Sequence, residues 1–231
     1  AEPRDWNWSA LSERERDQLA SAWEVRALDK HAAIAAAARF TLQLLEWGAP
    51  WDLIVRSERA TIQLTEHAEL CFGVVQSLRG TGVGPGPLPV ASLESTSWIE
   101  TVVRQFLDVD WEETEEAEQI EWIALRAGEP GLCEELERMA RESRAHAEIA
   151  WRFLVWALPR DPEWTSGLAE LAAEWRWSES ERISSVEVLS RDEWSETYGR
   201  VPTSGQEELR RRALAEHFLP CLDGVSRRAR A

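Results

Sequence analysis

The sequence predicts an all-α protein in which a four-helix bundle is followed by additional C-terminal helices. Glycine and proline divide the first two thirds of the chain into four long stretches of helical pattern. The links after the first and third stretches are short and the middle link is longer, which is typical of a four-helix bundle. No segment alternates apolar and polar residues for long, so strands are not expected.

The first two helices have clear ends in the sequence. Ser12 and Glu15 have the spacing of a capping box, and the helical pattern runs from there to Trp47. Residues 48–50 (Gly-Ala-Pro) end that helix, because glycine accepts the left-handed conformation after a helix and proline cannot continue one. The second helix is expected over about residues 51–79, since a glycine follows it.

The second half of the bundle begins after a loop. Residues 81–89 are rich in glycine and proline and are predicted to form a crossover connection. A third helix is expected over about residues 92–127, and residues 128–130 (Gly-Glu-Pro) are its predicted stop. The fourth helix is expected over about residues 131–158.

The chain beyond the fourth helix contains shorter stretches of helical pattern. We therefore assign residues 1–160 to the bundle and residues 161–231 to a helical extension packed on it. The last clear helix of the extension covers residues 203–223, with Thr203 or Ser204 as its cap.

Charge and composition exclude several classes of function. The 231-residue chain has a net charge of −16 and a pI near 4.8, which argues against a nucleic-acid partner. No apolar stretch is long enough to span a membrane, so no membrane partner is expected. Acidic residues concentrated at 108–121 and 129–137 are predicted to form solvated helix faces. The three cysteines, Cys71, Cys133 and Cys221, have no disulfide or metal-binding spacing, so the cytoplasm is the expected location.

One basic residue stands out. Lys30 is the only lysine among 26 lysines and arginines, and residues 27–40 around it are almost entirely small and apolar. An ammonium in such a helix is costly unless it reaches the surface or has a partner in the interior.

Two of the four histidines lie in the middle of predicted helices, where the helices of a metal-binding bundle carry their ligands. In dinuclear metal bundles, two helices give one glutamate each and the other two give Glu-x-x-His. Residues three apart share one helix face, so such a pair points to one centre. His67 and His146 lie at positions suited to this pattern on the second and fourth helices.

Several motifs resemble an uncharacterised family of bacterial ferritin-like domain proteins. These motifs are KHAAIAAAARF, HAELCF, GVGPGPLP, HAEIAW and ALAEHFLPC, which begin at residues 30, 67, 82, 146 and 213. The similarity covers nearly the whole chain in order and implies a ferritin-like four-helix bundle. In that family the first motif begins with glutamate, and a glutamate stands three residues before each histidine.

At three of the ligand positions implied by the resemblance, this chain has other residues. Lys30 replaces the glutamate of the first helix, Leu64 stands three residues before His67, and Ser143 stands three residues before His146. Leucine cannot ligate a metal and serine is a poor ligand, whereas two metals close together need bridging carboxylates. A dinuclear centre is therefore not expected.

His67, His146 and Glu113 remain at ligand-like positions, and two chemistries stay open. In the first there is no metal or other cofactor, and the ammonium of Lys30 supplies the central positive charge and pairs with Glu113. In the second, the two histidines and Glu113 bind a single Fe, Mn or Zn, and Glu142, four residues before His146, compensates in part. The metal-free interpretation is preferred, because a nearby ammonium disfavours a cation.

The main prediction is a degenerate ferritin-like protein whose cavity binds a small organic molecule and transforms it by acid–base chemistry. Lys30 would hold the central charge or act as base, His67 and His146 would transfer protons, and Glu113 would pair with Lys30. These four residues are expected to converge in one bundle interior. The alternatives are a mononuclear Fe- or Mn-dependent oxidoreductase, and a non-catalytic protein that assembles with copies of itself or with a partner protein.

Overall fold

The computed structural model describes residues 6–88, 101, 109, 111–160, 201 and 203–229. Within these ranges the regular structure is helical and contains no strand. The expectation of an all-α protein is therefore confirmed. The ferritin-like four-helix arrangement stays a prediction, because the beginning of the expected third helix lies mostly outside the described residues.

Helix α1 spans Glu13–Glu46 and begins with the predicted capping box. The Ser12 hydroxyl accepts a hydrogen bond from the Glu15 backbone N–H at 3.3 Å, and the Glu15 carboxylate accepts one from the Ser12 N–H at 2.8 Å. The bonds from the Ser12 side chain and backbone lower the pKa of Glu15. Gly48 has a φ of 65° just after the helix, which is the left-handed conformation that the sequence predicts for the stop.

Helix α2 spans Trp51–Arg79, as predicted. It ends at Gly80, whose φ is 69° and whose N–H donates to the Gln76 carbonyl at 2.8 Å. Residues 81–88 then have irregular backbone, in agreement with the predicted crossover connection over the part that is described.

The short link between α1 and α2 makes them an antiparallel hairpin. The hydroxyls of Thr41 and Ser57 are 2.7 Å apart near the link, and Arg79 donates to Glu24 at 2.8 Å near the other end. Apolar residues on the facing sides of both helices are buried and form the core of the hairpin. They include Leu19, Trp23, Ala27 and Leu44 on α1 and Leu64, Ala68 and Cys71 on α2.

Helix α3 spans Trp111–Ala124 and helix α4 spans Pro130–Ala157, with a 3₁₀ turn over Leu158–Arg160. Pro130 was predicted to belong to the stop of the third helix, and this is wrong: it is the first residue of α4. Proline suits a first helical position, because its φ is already helical and the N–H it lacks would have no partner there.

The C-terminal helix is longer than predicted and contains an irregular turn. Helix α5 (Thr203–Arg212) continues into a π-helical segment (Ala213–Phe218) and then into helix α6 (Leu219–Ala229). The N–H of Leu219 bonds the carbonyl five residues earlier, at Leu214. Pro220 explains the wider turn, because proline has no N–H to donate and its ring would clash with a carbonyl four residues back. The predicted cap at the start of α5 lies outside the described side chains.

The chain divides into two compact units, each of which is described by itself below. The first unit comprises Ala1–Glu94, Glu121–Glu142 and Glu193–Arg200, and the second comprises Ser95–Ile120, Ser143–Asp192 and Val201–Ala231. The predicted boundary between a bundle and an extension stays a prediction, because residues 161–200 lie outside the described ranges. No helix in the ranges that are described is long and apolar enough to cross a membrane.

Candidate functional site

The four residues predicted to form the site are all buried. The exposed fraction is 3% for Lys30, 0% for His67, 8% for Glu113 and 5% for His146. Lys30 and His67 belong to the first unit, and Glu113 and His146 belong to the second. The predicted burial of Lys30 is therefore confirmed, whereas its pairing with Glu113 and the convergence of all four residues stay predictions.

In the first unit, His67 makes a short bond to a carboxylate from another helix. Its Nε2 lies 2.7 Å from Oε2 of Glu142, so α2 and α4 each supply one member of the pair. The two residues are 75 positions apart in the chain, and no spacing rule connects them. Such a carboxylate fixes the orientation of the imidazole ring and balances the positive charge when the ring takes up a proton.

Arg138 holds this carboxylate in place from the preceding turn of α4. Its Nη1 lies 3.2 Å from Oε2 of Glu142, and its guanidinium also donates to Glu66 and Glu135 at 2.8 and 2.9 Å. Burial lowers the pKa of Arg138, but the hydrogen bonds and charges of Glu135 and Glu142 outweigh burial and leave the pKa raised. The sequence analysis missed Arg138, although its four-residue spacing from Glu142 on a helix is the signal that could have found it.

Lys30 lies on the interior face of α1 in the same unit. Trp23 and Ala27, which precede it by two turns and one turn, are also fully buried. Lys30 falls between the two contacts that fix the register of the hairpin, nearer to its middle than to either end. Interpolation between these contacts sets it level with the turn of α2 that contains His67 and Cys71.

The second unit contains another histidine–carboxylate pair. Nδ1 of His146 on α4 lies 3.5 Å from Oε2 of Glu113 on α3, which is a looser contact than that of His67. Ser143, one turn before His146, is fully buried. The two predicted residues of this unit are thus neighbours, as the sequence analysis requires.

Glu118 forms a third charged cluster, also in the second unit, which the sequence analysis did not predict. Its side chain is 1% exposed, and it meets Arg144 at 3.1 Å, Arg212 at 3.2 Å and His217 at 3.2 Å. The prediction that the acidic run at 108–121 forms a solvated face is wrong for this residue. A buried carboxylate is tolerated here because the two arginines compensate its charge.

The π-helical segment explains how Arg212 and His217 both reach the carboxylate of Glu118. Arg212 and His217 are five residues apart, and in an α-helix they would point about 140° away from each other. In a π-helical turn the backbone hydrogen bonds join residues five apart, so the two side chains are closer to the same side of the helix than they would be in an α-helix.

The residues at the implied metal positions do not fit a dinuclear centre. Lys30, Leu64 and Ser143 supply no carboxylate, and all three are buried rather than displaced to the surface. Among the residues that the structure describes, no group of three or more histidine, cysteine, aspartate or glutamate side chains is arranged to hold a metal ion. The expectation of no metal stays a prediction, as does its single-metal alternative.

Comparison of the chain with protein-family models, with curated proteins and with solved structures finds no match. The resemblance to ferritin-like proteins therefore rests on the sequence motifs alone. Any function has to be argued from the buried polar groups of the two units.

Proposed function

We propose that this chain is a degenerate ferritin-like protein whose interior binds a small organic molecule and carries out acid–base chemistry on it. The 2.7 Å contact between the fully buried His67 and Glu142 supports this proposal most directly. A positioned histidine can take a proton from a bound molecule and return it at another atom, and such transfer contributes about 10²–10⁴-fold to a reaction rate.

Three other buried or half-buried residues of the first unit have roles in this proposal. Glu142 orients the ring and offsets the charge of the imidazolium. Arg138 keeps the Glu142 carboxylate in place, since an arginine stays protonated at any working pH and donates hydrogen bonds to it. Lys30 adds a buried positive charge to the same unit, suited to a substrate that is anionic or becomes so during the reaction.

The order and length of the helices support the ferritin-like part of the proposal. Within the described ranges, two long helices joined by a short link are followed by irregular backbone at residues 81–88, and α3 and α4 come later in the chain. The substituted metal positions agree with a bundle that has lost its dinuclear centre and kept its buried polar groups.

A ligand screen with two matched variants tests the proposed function. Glu142→Gln removes the negative charge beside His67 at nearly constant shape, whereas Glu135→Gln removes a carboxylate that accepts a hydrogen bond from Arg138. A ligand at 100 times its Kd should stabilise the wild-type protein by about 2.7 kcal/mol. We expect carboxylic acids, aldehydes, ketones or amines in the screen to raise Tm for wild type and Glu135→Gln, and to lose this effect in Glu142→Gln. Equal responses in both variants would contradict the proposal.

Elemental analysis separates the proposal from the metal-dependent alternative. Protein purified without added metal should contain no stoichiometric Fe or Mn. Near-stoichiometric Fe or Mn would instead favour a mononuclear oxidoreductase that uses His67, Glu113 and His146.

A further inference from the structure

Helix α1 has two lines of residues at heptad spacing, and they lie on nearly opposite faces. The first line is buried in the interior and contains Trp23, Ala27, Lys30, Thr41 and Leu44. The second line is exposed or half-buried and contains Val25, Leu28, Ala32, Ala35, Arg39 and Leu42. We call this second line the outer seam. Its members are alternately three and four residues apart, which is the spacing of a helix that packs along another helix.

The outer seam is an apolar surface on an acidic chain. The exposed fraction is 60% for Val25, 50% for Leu28 and 49% for Leu42. The chain has 42 acidic residues, yet within residues 25–42, all of which the structure describes, this face carries no carboxylate and only the charge of Arg39. A helix that is apolar on all sides is expected to be buried on all sides. Because the single chain buries only one face of this stretch, the other face is suited to a second molecule.

The order of residues along the outer seam suits a second copy of the same helix. Large apolar residues lie at both ends of the seam, and alanines lie in its middle. If two copies run antiparallel about a two-fold axis at the middle of the seam, Val25 lies opposite Leu42 of the second copy. Ala32 then lies opposite Ala35, and these small residues let the two helix axes approach closely. The seam is therefore complementary to itself, as a two-fold symmetric interface requires.

Arg39 favours the antiparallel direction over the parallel one. In the antiparallel pair, it lies opposite Leu28 of the second copy and next to Asp29, whose carboxylate is at the edge of the seam. In a parallel pair, it would lie opposite the same arginine of the second copy, and like charges repel. Each chain has a net charge of −16, so two copies approach most easily where carboxylates are absent.

We propose that two copies of this chain associate through the outer seams of α1 in an antiparallel, two-fold symmetric pair. This association requires neither a ligand nor the acid–base pair of the proposed function. Three exposed apolar residues extend the surface to the side of α2 that is turned away from its buried face: Trp51, Val55 and Ile62. A surface two helices wide along residues 25–42 measures about 20 Å by 27 Å, so the pair would bury about 1,000 Å². Interfaces of this size lie at the lower end for specific complexes, so the dimer is expected to be reversible.

Sedimentation equilibrium of the full chain measures the association. We expect the average molar mass to rise from 26.3 kDa towards twice that value as the protein concentration increases from about 1 μM to about 1 mM. A molar mass that stays at 26.3 kDa over the whole range would overturn the inference and leave the face to a different protein.

Two leucine variants test the surface. Leu28→Glu places a carboxylate in the seam twice per dimer and should raise the Kd by at least about 100-fold. Leu125→Glu adds the same charge at a residue that is 73% exposed and lies outside the seam, so it should change the Kd by less than about twofold. Both changes are at exposed positions, and circular dichroism should show that both variants stay helical. Equal Kd values for the two variants would place the contact on a different surface and overturn the inference.

A charge exchange tests the antiparallel direction and does not depend on the leucine variants. Asp29→Arg and Arg39→Asp should each raise the Kd on the order of 10-fold, because each places like charges together in the pair. The double variant restores opposite charges and should return the Kd to near the wild-type value. A double variant that associates no more tightly than the single variants would overturn the antiparallel pairing.

Discussion

Two glycines of α2 allow a sharp test of how the conformation of single residues stabilises the hairpin. Gly73 lies inside the helix and is buried, whereas Gly80 is exposed and caps the helix at a φ of 69°. A Cβ at either position would have no described atom within 4 Å. The two sites therefore differ in backbone conformation, and at neither would an added methyl group clash with the part of the chain that the structure describes.

The expected changes in stability have opposite signs. Gly73→Ala should stabilise the protein by about 0.8–1.0 kcal/mol, because alanine is favoured over glycine by that amount in a helix interior. Gly80→Ala should destabilise it by about 1 kcal/mol, since the left-handed conformation costs an L-residue about 1–2 kcal/mol and the stiffer unfolded chain returns part of this.

Urea unfolding followed by circular dichroism measures both changes. With a slope of about 2 kcal/mol per molar urea, the midpoint should rise by about 0.4–0.5 M for Gly73→Ala and fall by a similar amount for Gly80→Ala. Both residues lie in the first unit, so one transition reports on both. A lower midpoint for Gly73→Ala would refute the reasoning.

Three further predictions concern Glu113 and the cysteines. Glu113→Ala should lower the free energy of unfolding by about 1–3 kcal/mol, because it removes the carboxylate that lies beside the buried His146 ring. Glu134→Ala, at an exposed position, should change it by no more than about 0.5 kcal/mol. Equal shifts of the urea midpoints in the two variants would contradict the buried pair. Burial and the charges of neighbouring glutamates raise the pKa of Cys133. Its alkylation near pH 8 should therefore be slower than that of the exposed Cys221, and it should accelerate further as the pH rises. The fully buried Cys71 should react only on unfolding, and rapid native labelling of it, seen by peptide mass spectrometry, would contradict its placement.

The parts of the fold that could be predicted are those that depend on neighbouring residues. The left-handed Gly48 and Gly80 end α1 and α2 where the sequence indicates, because the conformational preference of glycine acts locally. Pro130 was misassigned, because proline disfavours helix before it and suits the first helical turn, and only the structure decides which applies.

The sequence could predict which residues of the candidate site are buried, but it could not predict which of them are in contact. The burial of Lys30 and His67 follows from their places on apolar helix faces. The bond from His67 to Glu142 depends on the packing of two helices that are distant in sequence, which helix periodicity does not determine. Glu118 was predicted to be solvated, because a charge run on a helix usually faces water and its cationic partners come from other helices.

The helices of the hairpin are joined by a short link, whereas His67 and Glu142 are far apart in the chain. This difference has a consequence for folding kinetics. The α1–α2 hairpin closes through four residues, 47–50, so its contacts cost little loop-closure entropy and should form early. The contact between His67 and Glu142 joins residues 75 positions apart and should form after the rate-limiting step. We therefore expect substitutions in the hairpin core to slow folding, and substitutions of Glu142 mainly to accelerate unfolding. The polar interior would then be the last part of the first unit to assemble and the first to open.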